Sequence, residues 1–291
     1  MRENLAPISG IFHNKDSQKV KHENYSLRRY FPNDTLAPYI EQFWFVDWQF
    51  PNGQTHVQKN LPDPNPNLLF KNDEMYLFGP IDGRFEYKME GIGSIVGVKF
   101  HVGVLPQLGL SFFEKYKASH MVNRQYAIDE IFDLYSDALF SFQNTLAQKR
   151  KAAPQTLCGA INDKSYDDDH YFVNLLQEML PKLLATRPIL DSRAQKILDN
   201  IKHQSIYKVD ALAAQMDISV RQLQRICKDY IGLSPKWLIR KYRMHGVLKL
   251  IDDGEASIVD AAAMLDYTDQ SHLMRDFQTF IGQTPTSYKS E

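Results

Sequence analysis

In the stretch "VDALAAQMDISVRQLQRICKDYIGLSP", which begins at Val209, the polar residues Arg221, Gln224, Arg225 and Lys228 follow one another at i, i+3, i+4 and i+7. That spacing lays them along one face of a helix, with Leu223, Cys227 and Tyr230 on the opposite face. Arginine can bond a guanine edge through two parallel hydrogen bonds and glutamine an adenine edge, so the row carries the groups that major-groove readout requires. The stretch "VDAAAMLDYTDQSHLMRDFQTFIGQTP", from Val259, repeats the arrangement with Ser271, Met274, Arg275 and Gln278 outward and Leu273, Phe277 and Phe280 inward. Its outward face holds one arginine, and a methionine suited to a thymine methyl.

Laid on each other without a gap, residues 209 to 235 and 259 to 285 agree at nine of 27 positions, where about two matches would arise at ordinary composition. Each copy reads as a helix of small and apolar residues, a break of three or four residues, and a second helix opened by Ser219 or Asp269 and stopped by Gly232 or Gly282. Ser219 and Gln222 have capping-box spacing, and Asp269 can accept from free backbone amides. This is helix-turn-helix grammar. Between the copies, Trp237, Leu238, Tyr242, Leu248 and Ile251 keep helical phase after Pro235, which predicts a connecting helix of roughly 17 residues, about 25 Å long. Such a rod holds two units as fixed neighbours, and recognition helices about 34 Å apart meet successive major grooves of one duplex.

From Arg221 to Lys249 eight basic residues face Asp229 alone, although the chain as a whole carries 34 Lys+Arg against 35 Asp+Glu. Ser219, Lys228, Lys236, Arg240, Lys241 and Arg243 are the candidate phosphate contacts, which would position the protein without reading sequence. A merely solvated helix face is the competing reading, and the two helix-turn-helix units weigh against it.

The remaining chain must position these elements. A length of 291 residues fits two domains. Between Tyr39 and His101, short apolar runs broken by turn residues ("QFWFVDW", "NLLF", "MYLFGP", "RFEYKME", "SIVGVKF") predict strands of a barrel or sandwich. A stripe at helical spacing from Ile128 through Ile131, Phe132, Tyr135, Leu139 and Phe142 to Leu146 predicts a long helix, and Gln148 to His170 a linker. Phe172, Leu175, Leu176, Met179, Leu180, Leu183 and Leu184 mark another apolar stripe, which Pro181 should end or kink; it either packs on its own domain or pairs two copies of the chain. The expected division is 1–165, 166–190 and 191–291, and the last span is long enough to fold alone. Cys158 and Cys227 are the only cysteines, too few for a disulfide framework or a four-cysteine zinc site. With no signal-peptide pattern and no apolar run near the ~20 residues that span a bilayer, the expected setting is the cytoplasm, away from the membrane.

"LAAQMDISVRQLQRICKDYIGLSPKWLIRKYR" and "DYTDQSHLMRDFQTFIGQTPTSY" together resemble the double helix-turn-helix domain of AraC/XylS-type transcription regulators, over about residues 191 to 290. The resemblance implies base contacts from Arg221, Gln224 and Arg225, then from Gln270, Ser271, His272, Met274 and Arg275. Asp266 stands where the family usually has glycine and Cys227 where phenylalanine is common; aspartate tolerates the left-handed backbone and cysteine packs as a small hydrophobe. Through "LPDPNPNLLF", "GPIDGRFEY" and "VGVKFHVGVLPQLGLS" the N-terminal part resembles the sensor-like domain of some of these regulators, which implies a cupin-like β-domain with helices. The expected fold is therefore α+β: a β-barrel or cupin-like N-terminal domain and an all-α C-terminal domain. Double-stranded DNA is the expected partner, with RNA polymerase, a small-molecule effector and a second copy of the chain as further candidates.

An effector could be held by Trp44, Trp48, Phe78 and Tyr87 with Arg84 and His101 at the rim, or the same aromatic residues could simply fill the core. His56, His101 and His120 lack metal-ligand spacing, and no nucleophile motif, phosphate loop or paired-carboxylate pattern occurs. No metal, cofactor or catalytic residue is expected. The readings to be separated from a sequence-specific regulator are a DNA-bending protein with little sequence preference and an N-terminal metal-cupin enzyme.

Overall fold

A computed structural model describes residues 24–51, 53–71, 74–107, 117–128, 144, 165–184 and 192–290. Among them, strands β1 (Tyr25–Tyr30), β2 (Ile40–Gln49), β7 (Ile92–Phe100), β4 (Asn67–Lys71), β5 (Glu74–Phe78) and β8 (Gln125–Ala127) form one antiparallel sheet in that order, and β3 (Thr55–Asn60) pairs with β6 (Phe85–Glu90) in a second. The outer strands β1 and β8 do not pair with each other, so the sheet is rolled open rather than closed.

Period-two alternation divides the large sheet into two faces. Phe43, Phe45, Leu68, Phe70, Leu77, Val96 and Val98 point to one side, where helix α1 (Ser165–Leu184) lays Phe172, Val173, Leu176, Met179 and Leu180 over them. The apolar stripe of α1 thus packs on the sheet. Its polar anchor is Arg28, whose guanidinium donates to Asp169 at 2.5 Å and to Asp47 at 2.5 Å, while the Tyr30 hydroxyl donates to Asp169 at 2.7 Å. Pro181 lies inside α1 rather than ending it. The other face carries Leu27, Trp44, Val46, Trp48, Leu69 and Ile95, which meet Met89 and Tyr87 from β6. Trp44 and Trp48 lie across Gly97 and Gly93 of the paired strand, where a Cβ would overlap either indole; the glycines make room for the rings. Of the stripe from Ile128 to Leu146, only Ile128 and Asn144 are described, and Ile128 is buried in the sheet core; the rest, and the linker up to residue 164, lie outside the described residues.

The C-terminal part is helical: α2 (Ser192–His203), α3 (Val209–Gln215), α4 (Val220–Ile226) continued by a wider turn (Cys227–Ile231), α5 (Pro235–Asp252), α6 (Ile258–Met264), α7 (Gln270–Phe280) and α8 (Pro285–Ser290). Two cores flank α5. The first gathers Ile197, Leu198, Leu212, Leu223, Ile226, Cys227, Ile231 and Leu238; the second gathers Met244, Val247, Ala261, Leu273, Phe277 and Phe280. Neither is self-contained: Val102 and Val122 of the N-terminal part enter the first, and Leu61 enters the second. Polar contacts follow the same seam, with Lys117 2.8 Å from Asp229 and the Trp237 indole donating to the Asp82 carbonyl at 3.1 Å.

Candidate nucleic-acid interface

Helix α4 starts because Ser219 accepts from the Gln222 amide at 3.2 Å while the Gln222 side chain accepts from the Ser219 amide at 2.8 Å. This reciprocal cap satisfies two free donors of the first turn. Asp269 performs the same task for α7, accepting from the His272 amide at 2.7 Å, and these amide hydrogen bonds hold its carboxyl below the usual range. Gly232 (φ 91°) and Gly282 (φ 86°) end the two helices in the left-handed conformation. Helix α5 is capped by Ser234, carries Pro235 in its first turn and runs for 18 residues.

The ungapped register between the two copies is corrected in its first half. Ile218 donates to the Ala213 carbonyl, and Tyr267 to that of Ala262; Asp217 (φ 53°) and Asp266 (φ 57°) follow their helices in the same left-handed turn. These pairs are 49 residues apart, whereas the caps Ser219 and Asp269 are 50 apart. The second turn is therefore one residue longer, with Thr268 as the addition, and α3 superposes on α6 with a shift of one. The hydrogen-bonded turn, rather than residue identity, sets the register. Asp266 does take the backbone conformation that glycine favours.

Of the expected base-reading residues, Arg221, Gln224, Arg225, Gln270, Ser271 and Arg275 are exposed on α4 and α7. His272 and Met274 are half-buried: the His272 ring packs edge-on against Tyr267 at 5.1 Å and approaches Asp276 at 3.9 Å. Arg275 is partly tied to its own helix, its Nε donating to the Ser271 carbonyl at 3.3 Å.

Among the phosphate candidates, Ser219, Lys228 and Lys236 are exposed. The other three are engaged internally, and the expectation is corrected. Lys241 is 2% exposed, and its ammonium lies 3.9 Å from Asp63 of the N-terminal part. Burial, only partly offset by Asp63, pushes its pKa down to about 8. Asp63 also pairs with Lys99 at 2.9 Å, and Lys99 with Glu41 at 3.2 Å. Arg240 donates to Asp276 at 2.8 and 2.7 Å, fastening α7 to α5. Arg243 is 6% exposed and donates to the Tyr207 and Asp266 carbonyls. Three of the eight basic residues in the run are therefore turned inward, toward Asp276, Asp63 and backbone carbonyls. Composition shows the cations without their partners: Asp276 lies within the second copy, four residues after His272, but Asp63 lies more than 170 residues from Lys241 and no spacing connects them.

The effector set is only partly brought together. Trp44, Trp48 and Tyr87 share the space between the sheets, with Trp48 and Tyr87 edge-on at 6.0 Å, and Phe78 lies on the same side of β5 as Tyr76, edge-on to it at 6.5 Å. Arg84 instead lies beside Gly282 in the C-terminal part, where a Cβ would overlap it, and His101 Nε2 faces the Ala37 carbonyl at 3.0 Å. Those two are corrected as rim residues of that space. Among the described residues no three His, Cys, Asp or Glu side chains converge as metal ligands, and no helix is long and apolar enough to cross a membrane.

Comparison with known proteins bears on this geometry. Residues 212–291 match a helix-turn-helix domain family, and residues 28–126 match a domain of unknown function, DUF6597. Over 82 residues the chain is 30% identical to the probable transcription factor PqrA of Proteus vulgaris, an alignment covering 28% of this chain and 67% of PqrA. The chain belongs to the AraC/XylS-type family of transcription regulators. As a member of that family it is a helix-turn-helix DNA-binding protein of transcription regulation. It is also 30% identical over 76 residues to the transcriptional activator RhaS of Escherichia coli, covering 26% of this chain and only 27% of RhaS. Among solved structures, an apo single-substitution variant of ToxT from Vibrio cholerae aligns over 85% of this chain and 97% of its own, at 10% identity and a TM-score of 0.43.

Proposed function

We propose that this AraC/XylS-type regulator binds double-stranded DNA in a sequence-specific manner, placing α4 and α7 in two successive major grooves. The observation that carries the reading is the pair of capped helices with exposed arginine and glutamine rows, joined through an 18-residue helix about 27 Å long. Arg221, Gln224 and Arg225 read one groove, and Gln270, Ser271 and Arg275 the other, with His272 and Met274 at the edge. Ser219, Lys228 and Lys236 face phosphates. The chain acts without enzymatic chemistry, in the cytoplasm.

The N-terminal part, residues 1–165, senses a small molecule or joins two copies, residues 166–190 supply the linker and the amphipathic helix that packs on the sheet, and residues 191–291 bind DNA and present themselves to RNA polymerase. An effector would enter between the sheets at Trp44, Trp48, Phe78 and Tyr87. The shared cores support transmission, because movement of Val102 or Val122 is felt under the first reading unit and movement of Leu61 under the second.

The test is selection of random duplex DNA by the full chain, followed by footprinting. The expected result is two conserved segments about one helical turn apart, both protected. Equal binding of matched and scrambled sites would replace this reading with that of a DNA-bending protein.

A further inference from the structure

Arg243 lies where the two reading units meet. Its guanidinium carbon is 5.1 Å from the centre of the Tyr207 ring and 4.9 Å from that of Tyr267. Nη2 donates to the Tyr207 carbonyl at 2.7 Å and Nη1 reaches the Asp266 carbonyl at 3.4 Å. Tyr207 immediately precedes Lys208, the residue that opens α3 of the first unit, and Asp266 and Tyr267 form the left-handed turn between α6 and α7 of the second. One side chain of α5 therefore grips the entry to one unit and the turn of the other. A planar, permanently charged fork between two aromatic faces has little rotational freedom, which an ammonium would not match.

The remaining cross-unit ion pair at this place, Lys208 with Asp266 at 3.6 Å, has both side chains largely exposed and contributes little. Arg240 and Asp276 fix α7 to α5 but do not touch the first unit. The angle between the units is thus left to Arg243 and the apolar packing around α5.

We propose that Arg243, clamped between Tyr207 and Tyr267, is the positioning residue that sets the spacing between the two DNA segments this chain reads. The proposal rests on both units engaging one duplex. Inserting one base pair between the segments turns the second by about 34° and moves it by about 3.4 Å. A pair of units held by Arg243 cannot follow; a pair held only by apolar contacts follows more easily.

The test uses the full chain and the site recovered by selection, together with versions carrying one or two base pairs more or fewer between the segments. The wild type should lose about tenfold or more in affinity on a one-base-pair change. In Arg243→Met the penalty should shrink to within about threefold, with weaker binding at the native spacing, and Arg243→Lys should fall between. Tyr207→Leu removes one aromatic face and leaves both carbonyl bonds, so it relaxes spacing in the same direction should Arg243→Met fail to fold by circular dichroism. A folded Arg243→Met or Tyr207→Leu variant that keeps the wild-type spacing penalty overturns the proposal. A wild type that protects one segment, or ignores spacing, overturns instead the two-groove reading on which it stands.

Discussion

The two helix-turn-helix units share a plan and differ in what their charged residues are used for. In the first, Arg221, Gln224, Arg225 and Lys228 are all exposed, and Leu223, Ile226 and Cys227 form its buried side. In the second, Asp276 is buried, holds Arg240, and draws His272 and the Tyr267 hydroxyl toward itself, the latter at 3.4 Å. A buried carboxylate with this many partners fixes α7 firmly and leaves fewer free cations on its outer face. The first unit thus keeps its cations on the exposed face of α4, while the second turns an acidic side chain of α7 inward to anchor that helix to α5.

The sharpest way to break this comparison is Arg240→Ala, which leaves the Asp276 carboxylate buried without its guanidinium. Removing one partner of such a pair costs about 3 kcal/mol, so chemical denaturation should show a marked loss of stability, and footprinting a loss of protection over the second segment. Unchanged stability with a lower salt dependence of binding would make Arg240 a phosphate contact and erase the asymmetry.

Next in size is the contrast between equivalent arginines. Arg225→Ala should cost about 1 to 3 kcal/mol in binding and relax preference at one base pair. Arg275→Ala should cost less, because Arg275 is already bonded to its own helix. Titrations of both variants on one operator decide the ranking, and a larger loss for Arg275 inverts it. Lys236→Ala, a smaller change, should lower the slope of log affinity against log salt by about 0.9 without altering base preference, as one lost phosphate contact would.

How far the sequence was readable follows from the range of the forces involved. Helix periodicity, the caps at Ser219 and Asp269, the glycine stops and the left-handed Asp266 are local, and each is legible within a few residues. The one-residue shift between α3 and α6 was concealed by chance identities such as Val209 with Val259. The fate of Arg240, Lys241 and Arg243 was not legible, because charge composition cannot say whether a cation meets a phosphate or a carboxylate brought up by the fold. Likewise Arg84 and His101 read as pocket rim until tertiary packing turned them toward other elements.

Lys241 carries the comparison to its smallest effect on DNA and its most diagnostic one on stability. Exposed Lys236 and buried Lys241 belong to one helix, and composition alone treats them alike. Lys241 has an ordinary value of 10.5, pushed down by burial to about 8 in the folded chain. Between those values the unfolded chain holds a proton that the folded chain does not, so this group makes stability rise as pH climbs from 8 to 10.5. Below pH 8 it is charged in both states and the cost of burying the charge is fully present. In Lys241→Met that cost disappears, while Asp63 keeps Lys99 at 2.9 Å. The variant should therefore gain about 1 kcal/mol at pH 7 and lose the rise between pH 8 and 10.5, with the salt slope of DNA binding unchanged. Denaturation curves across that pH range and binding at several salt concentrations provide both readouts. A reduced salt slope with an unaltered pH profile would place Lys241 on the DNA and undo the division of the basic run into outer and inner cations.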